Sequence, residues 1–194
     1  MTNHAAGATS LDFVVKRKPD GGFSDWLFEN DVTGAELKFF GPLGRATFRP
    51  DEGRNVLCLG GGSGIAAMVA ILSRAAAVDY FKDRKGDVFF GVRTAADAFF
   101  LDEFAAHAEA FPDTLTVTVA LSDEDVPQDL RDRYPALRFA TGFVHAVASE
   151  TMAGAYDDVI AYIGGPPPMV DGALRMLILE ARLPGSDVRY DKFG

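Results

Sequence analysis

One short run constrains the fold of this chain more than any other feature: Cys58-Leu59-Gly60-Gly61-Gly62-Ser63-Gly64-Ile65. An apolar segment, Asn55 to Leu59, leads into it, and a helical pattern from about Ile65 to Phe81 leads out. Glycines between a strand and a helix permit a tight turn and let the backbone approach a phosphate closely. The helix start then offers free N–H groups and the positive end of its dipole. The spacing is not G-x-G-x-x-G, because Ile65 stands where the last glycine would be. The next strand also lacks a closing acidic residue, since it ends Gly91-Val92-Arg93-Thr94. Two readings stay open on these residues alone: a phosphate-binding loop, or a tight crossover turn that holds no ligand.

After Arg49-Pro-Asp-Glu-Gly53, a polar and turn-rich boundary, strands alternate with helices. Strands are expected at Asn55 to Leu59, Asp87 to Val92, Leu115 to Leu121, Ala155 to Ile163 and Val188 to Asp191. Helices are expected at Ile65 to Phe81, Ala95 to Ala110, Met169 to Arg182 and, more weakly, Pro127 to Tyr134. This alternation predicts a parallel sheet with helices on both faces. The first fifty residues read instead as β-rich. Leu11 to Lys16, Glu36 to Phe40 and Arg45 to Phe48 are expected strands, and Phe23 to Glu29 a short helix with Ser24 at its N-cap. Trp26, Phe23 and Leu27 are expected to belong to the core of that unit.

A second loop, Gly164-Gly165-Pro166-Pro167-Pro168-Met169, follows a late apolar strand. Prolines cannot continue a strand and deny the backbone its donors, and Pro168 suits the first turn of a helix. The glycines are expected to leave space above the strand ends, where open α/β sheets bind ligands. A stiff loop that only terminates the strand explains the same residues.

Composition closes off other classes. With 28 acidic against 19 basic residues, the net charge is −9, and no basic block exists to hold phosphate backbones. No nucleic-acid partner is expected. Lys16-Arg17-Lys18 is short enough for a solvated hairpin end. One cysteine, Cys58, allows neither an internal disulfide nor a Cys₄ iron–sulfur cluster, and its strand position points to buried packing. His4, His107 and His145 lack metal-ligand spacing, so no metal site is expected; His145 is placed in a strand. The polar opening MTNHAAGATS lacks the apolar centre of a signal peptide. The longest apolar run, Ile65 to Val78, is broken by Ser73 and Arg74, so no membrane span is expected and the cytoplasm is the default location.

The Gly60–Ile65 loop, the Gly164–Met169 loop and the C-terminal Tyr190-Asp191-Lys192-Phe193 together resemble the ferredoxin–NADP reductase family. The similarity is strongest to the electron-transfer reductases of toluene- and phenol-type monooxygenases and covers nearly the whole chain. It implies an α/β, parallel-sheet NAD(P)-binding domain over residues 51–194. Residues 1–50 would then be the later part of an antiparallel flavin-binding β-barrel. Gly21 to Leu27 resembles the barrel turn and helix beside the FAD pyrophosphate, with Gly22, Phe23 and Ser24 as binding residues. Gly41-Pro42-Leu43-Gly44 resembles the segment that closes the barrel.

In the nucleotide domain the resemblance assigns Gly61, Gly62, Ser63, Gly64 and Ile65 to the pyrophosphate. Arg93 and Thr94 fall to the adenosine side, with Asp97 either beside the ribose or simply a first-turn carboxylate. Gly165, Pro166, Pro167 and Met169 fall to the nicotinamide. Gly164, where the family usually has cysteine, lies on the hydride path, and Phe193 or Tyr190 covers the ring face. The implied activity is hydride transfer from NADH, preferred over NADPH, to FAD. Electrons would pass on to a redox partner, either a ferredoxin or a monooxygenase component. No Arg-x-Tyr-Ser/Thr run, which the family uses to hold the flavin, occurs in the sequence. The alternative expectation is therefore a nucleotide-binding or partner-docking module without flavin activity, whose open barrel strands would favour a homo-oligomer.

Overall fold

The computed structural model describes residues 1–3, 9–41 and 46–193. His4 and the Pro42-Leu43-Gly44-Arg45 run lie outside the described residues. A six-stranded sheet is built from β1 (Asn55–Gly61), β2 (Gly86–Val92), β3 (Leu115–Leu121), β4 (Arg138–Thr141), β5 (Val159–Gly165) and β6 (Val188–Lys192). The order is β4-β3-β2-β1-β5-β6, and every neighbouring pair is parallel. The helices are α1 (Gly22–Glu29), α2 (Ile65–Ala77), α3 (Leu101–Ala110), α4 (Gln128–Arg133), α5 (Val144–Thr151) and α6 (Pro167–Arg175).

The central strands are apolar on both faces, as a parallel sheet covered on both sides requires. Val56 and Cys58 of β1, Val88 and Phe90 of β2, and Ile160 and Tyr162 of β5 pack with Ile65, Met68 and Leu72 of α2 and Phe104 of α3. Leu57, Leu59, Phe89, Ala161 and Ile163 point the other way, onto Val144, Val147 and Ala148 of α5 and Val170 and Ala173 of α6. The period-two alternation of each strand thus feeds two separate cores.

Several sequence expectations are corrected. The first helix of the unit stops at Ala77. Asp79 turns left-handed (φ 55°), and a short 3₁₀ turn, Tyr80–Lys82, returns Phe81 to the core. The pattern to Phe81 reflected burial reached by another route. The helix expected from Ala95 divides at Phe100 (φ 60°) into a 3₁₀ turn, Ala95–Asp97, and α3. The helix expected over Met169 to Arg182 is α6 followed by a π turn, Met176–Glu180. The strand expected from Ala155 begins only at Val159, after a left-handed Asp158 (φ 53°). Neither β4 nor α5 was expected, and His145 lies on α5 rather than in a strand.

Ahead of the sheet, no β-strand forms among the described residues. The strands expected at 11–16 and 36–40 are absent as ladders, although the Phe13 and Phe39 rings stack at 5.4 Å. The alternation marked neighbouring segments without supplying a partner strand. Ala46 and Phe48 already pack on the α/β core, Phe48 edge-on to Tyr80 at 5.1 Å. Arg189 of β6 holds this lead-in segment by donating to Thr47 O (2.9 Å), Glu52 (2.5 Å) and the Tyr162 hydroxyl (3.0 Å).

Candidate functional site: the switch point of the sheet

The strand order reverses between β1 and β5, so their crossovers leave in opposite directions and open a crevice at the carboxyl ends. Both strands end in glycine there, and Gly60 pairs in register with Gly164. The two loops are in contact. A Cβ at Gly64 would fall inside the carbonyl group of Gly164, and one at Gly61 would come 2.9 Å from Met169 Cε. A Cβ at Gly164 would lie 2.8 Å from Gly64 O. These glycines therefore bring the loops together, and Gly164 packs against Gly64 rather than leaving the open space expected above it. The open position is Gly62, whose positive φ (+52°) no side chain favours and whose Cβ direction is empty. Gly62 and Ser63 form the partly exposed tip, while Gly64 and Ile65 are buried.

The two helix starts at this crevice differ chemically. Gly62–Gly64 form a 3₁₀ turn that runs straight into α2, and neither Gly61 nor Gly64 supplies a side-chain cap. The Ile65 N–H turns back onto Gly62 O and Ser63 O, so the donors this end presents to an anion, with the helix dipole, are those of the Gly62–Gly64 turn. At α6, Pro166 caps the helix and Pro167 and Pro168 open it. These prolines have no N–H, and the amides of Met169 and Val170 are already spent on Pro166 O at 3.1 Å. The three prolines are exposed. One end offers donors to an anion and the other a proline-rich face without free donors.

Beyond β2 and β3 the backbone pairing continues, with Ser122 N–H donating to Val92 O and Asp123 N–H to Arg93 O. Arg93 Nε donates to Asp123 Oδ2 at 2.7 Å. Thr94 and Asp97 form a capping box that closes the 3₁₀ turn, so Asp97 is a first-turn carboxylate. At the far side, Phe193 N–H donates to Gly165 O (3.1 Å), fastening the C-terminal segment to the proline loop, and the Phe193 ring stays half exposed. Tyr190 pairs across from Ile163 within β6.

The oxidoreductase NAD-binding domain model matches residues 58–175. The chain belongs to this family. Its α/β unit is an NAD-binding domain of ferredoxin-reductase type. The ferredoxin–NAD(P)(+) reductase CarAd of Metapseudomonas resinovorans is 36% identical over 183 residues, covering 94% of this chain and 50% of that protein. The ferredoxin–NAD(+) reductase component of an alkene monooxygenase system in Xanthobacter autotrophicus is 31% identical over 194 residues, 100% of this chain and 55% of that one. The crystal structure of the Amycolatopsis cytochrome P450 reductase GcoB matches with a TM-score of 0.71 at 30% identity, over 92% of this chain and 50% of that chain. The chain thus spans about half the length of the relatives it matches.

One residue of the NAD-binding domain escaped the sequence reading. Phe143 follows β4, is 66% exposed, and stacks on His145 at 5.9 Å and 14°. Gly142 N–H donates to Leu121 O, which sets Phe143 beside the end of β3. A large exposed ring at the carboxyl edge is a surface for a flat heterocycle. The missing signal was β4 itself, whose four residues carry little alternation.

On the flavin side, the cap and core expectations are corrected. Gly21, not Ser24, caps α1, and Ser24 is buried. The Ser24 hydroxyl donates to Lys18 O (2.9 Å) and accepts from Lys18 N–H (3.1 Å), so it is not available to a phosphate. The amides of Gly22, Phe23 and Ser24 still form the first turn of α1, and the Cβ direction of Gly22 is open. Phe23 and Trp26 are exposed rather than core.

Other features lie away from the crevice. Clefts of about 600 Å³ (Ser149, Tyr156, Glu180) and 430 Å³ (Glu109, Thr116, Arg138) open near the amino ends of the strands, opposite the usual ligand side. Burial pushes the Cys58 thiol pKa up and the His107 imidazole pKa down, which suits packing roles for both. No group of three metal-binding side chains occurs among the described residues, and none of their helices is long and apolar enough to cross a membrane.

Proposed function

We propose that the chain is the pyridine-nucleotide half of an electron-transfer reductase that moves reducing equivalents from NADH, through FAD, to a ferredoxin or oxygenase component in the cytoplasm. The observation that carries this reading is the apposition of the two loops at the switch point, one presenting N–H donors and the other an apolar, donor-free face. Gly61, Gly62, Ser63, Gly64 and Ile65 hold the pyrophosphate at the start of α2. Arg93 and Thr94 bound the adenosine ribose, and Phe143 stacks on the adenine. Pro166, Pro167 and Met169 flank the nicotinamide above Gly165, and Phe193 covers its open side. Gly164 sets the separation of the loops by packing under Gly64. The bound cofactors supply hydride chemistry, while these residues position the ring and exclude water. The names of the relatives, reductase components of oxygenase systems, support the choice of partner.

NADH-driven reduction of ferricyanide by the chain, with FAD added, tests this reading; activity that tracks bound flavin supports it. A second reading, a dinucleotide-binding module that holds no flavin, is favoured by the committed Ser24 hydroxyl and the lack of strands in residues 9–41. NADH binding without retained FAD absorbance would select it. The exposed apolar side chains of residues 11–40 support self-association, which sedimentation of the chain measures.

A further inference from the structure

NADH and NADPH differ only at the adenosine ribose, where NADPH carries a 2′-phosphate. Selecting NADPH takes unshared cations, and rejecting it takes carboxylates. Among the described residues just past the carboxyl ends of β2 and β3 there is one cation, Arg93, and that cation is shared. Its Nε donates to Asp123 Oδ2 at 2.7 Å. Two more carboxylates flank it: Asp97 accepts from the Thr94 hydroxyl (2.8 Å), and Glu124 accepts from Ala95 N–H (2.5 Å). All four groups stand just past the carboxyl ends of β2 and β3. The Ser122 hydroxyl and Arg93 hold the Asp123 carboxyl below the usual carboxylate range, so it is charged at neutral pH.

We infer that Asp123 is a specificity-determining residue: by pairing with Arg93 it leaves the adenosine end net anionic, and the site takes NADH in preference to NADPH. This rests on the nucleotide-binding reading given above. Arg93 is 79% exposed, so the pair adds little to folding stability, and its charge can be altered without disturbing the core.

The test is a set of affinities of the whole chain for NADH and NADPH, measured by fluorescence for wild type, Asp123→Asn, Arg93→Ala and the double variant. Wild type binds NADH at least about tenfold more tightly than NADPH, and Asp123→Asn narrows that ratio at least about fivefold by strengthening NADPH. Arg93→Ala, which removes a residue bounding the ribose, weakens NADH and NADPH together and leaves their ratio no narrower than in wild type, yet abolishes the narrowing in the Asp123→Asn background, because only there is the cation released from Asp123. Raising salt narrows the ratio in wild type, where repulsion is screened, and narrows it less in Asp123→Asn, where less repulsion is left to screen. Equal wild-type affinities, an unchanged ratio in Asp123→Asn, or a narrowing that survives Arg93→Ala in that background each overturns the assignment. Failure of both nucleotides to bind instead overturns the nucleotide-binding reading on which it stands. Thermal melts confirm folding of each variant, and Asp123→Ser replaces Asp123→Asn if the latter fails to fold.

Discussion

Residues 46–193 and residues 9–41 are both rich in aromatic and aliphatic side chains, yet only the first stretch buries them. Phe89, Phe90 and Phe104 are at most 1% exposed, whereas Phe39 and Phe40 are 66% and 89% exposed. Apolar content is therefore not what separates the two stretches. In the α/β unit each strand finds a parallel neighbour and each crossover helix returns an apolar stripe to one face or the other. In residues 9–41 one helix and two unpaired segments meet only locally, as in the Phe13–Phe39 stack. A core requires layers, and the second stretch supplies only part of one.

Matched substitutions in the two stretches break or sharpen this contrast. The largest effect is expected at the loop contact: Gly64→Ala drives a Cβ into the Gly164 carbonyl and costs more than about 4 kcal/mol, enough to prevent folding. Gly22→Ala, with open space around it, stays within about 1 kcal/mol of wild type in the same denaturant titration. Next, Phe90→Ala removes a fully buried ring and costs about 3–5 kcal/mol. Phe39→Ala, which loses only an exposed stack, costs under about 1 kcal/mol. Equal costs for the two would show that residues 9–41 pack more tightly than their exposure implies.

At the junction, Arg189→Ala removes donors to Thr47 O, Glu52 and the Tyr162 hydroxyl and costs about 1–3 kcal/mol. It should also speed proteolytic cutting near residues 46–50 while the sheet stays intact. The smallest effect depends on pH. Burial raises the folded-state pKa of Asp87, so its charged form opposes folding once pH rises through that pKa. Asp87→Asn should accordingly stabilise the protein at pH 7 by under about 1 kcal/mol and leave it unchanged near pH 3, where the carboxyl is protonated in both states. The reverse pH dependence would mean that Lys85 and Arg138 outweigh the burial.

The sequence revealed most where one residue type has one physical use. Glycines between a strand and a helix located both loops, and Leu115 to Leu121 was bounded correctly because its alternation is clean. It revealed least where tertiary contacts decide. Nothing local announces that Phe100 turns left-handed or that β4 completes the sheet edge. The Gly64–Gly164 contact joins residues a hundred positions apart, so nothing local to the second loop shows that the space expected above Gly164 is filled by the first. Ser24 looked like a cap because serine favours that position, but the chain enters the helix one turn earlier and the hydroxyl turns back to Lys18. Arg93 was legible as a candidate contact, while its partner thirty residues later was not.

The central claim is that a nicotinamide dinucleotide lies across the two loops at the carboxyl ends of β1 and β5. Amide chemical-shift mapping of the chain during titration with NAD⁺ tests it most directly. Saturable shifts should concentrate at Gly61 to Ile65, at Arg93 and Thr94, at Phe143 and at Gly165 to Met169. Shifts confined to the clefts at the opposite end of the sheet, around Tyr156 and Glu180 or around Thr116 and Arg138, would contradict it, as would no saturable shift at all.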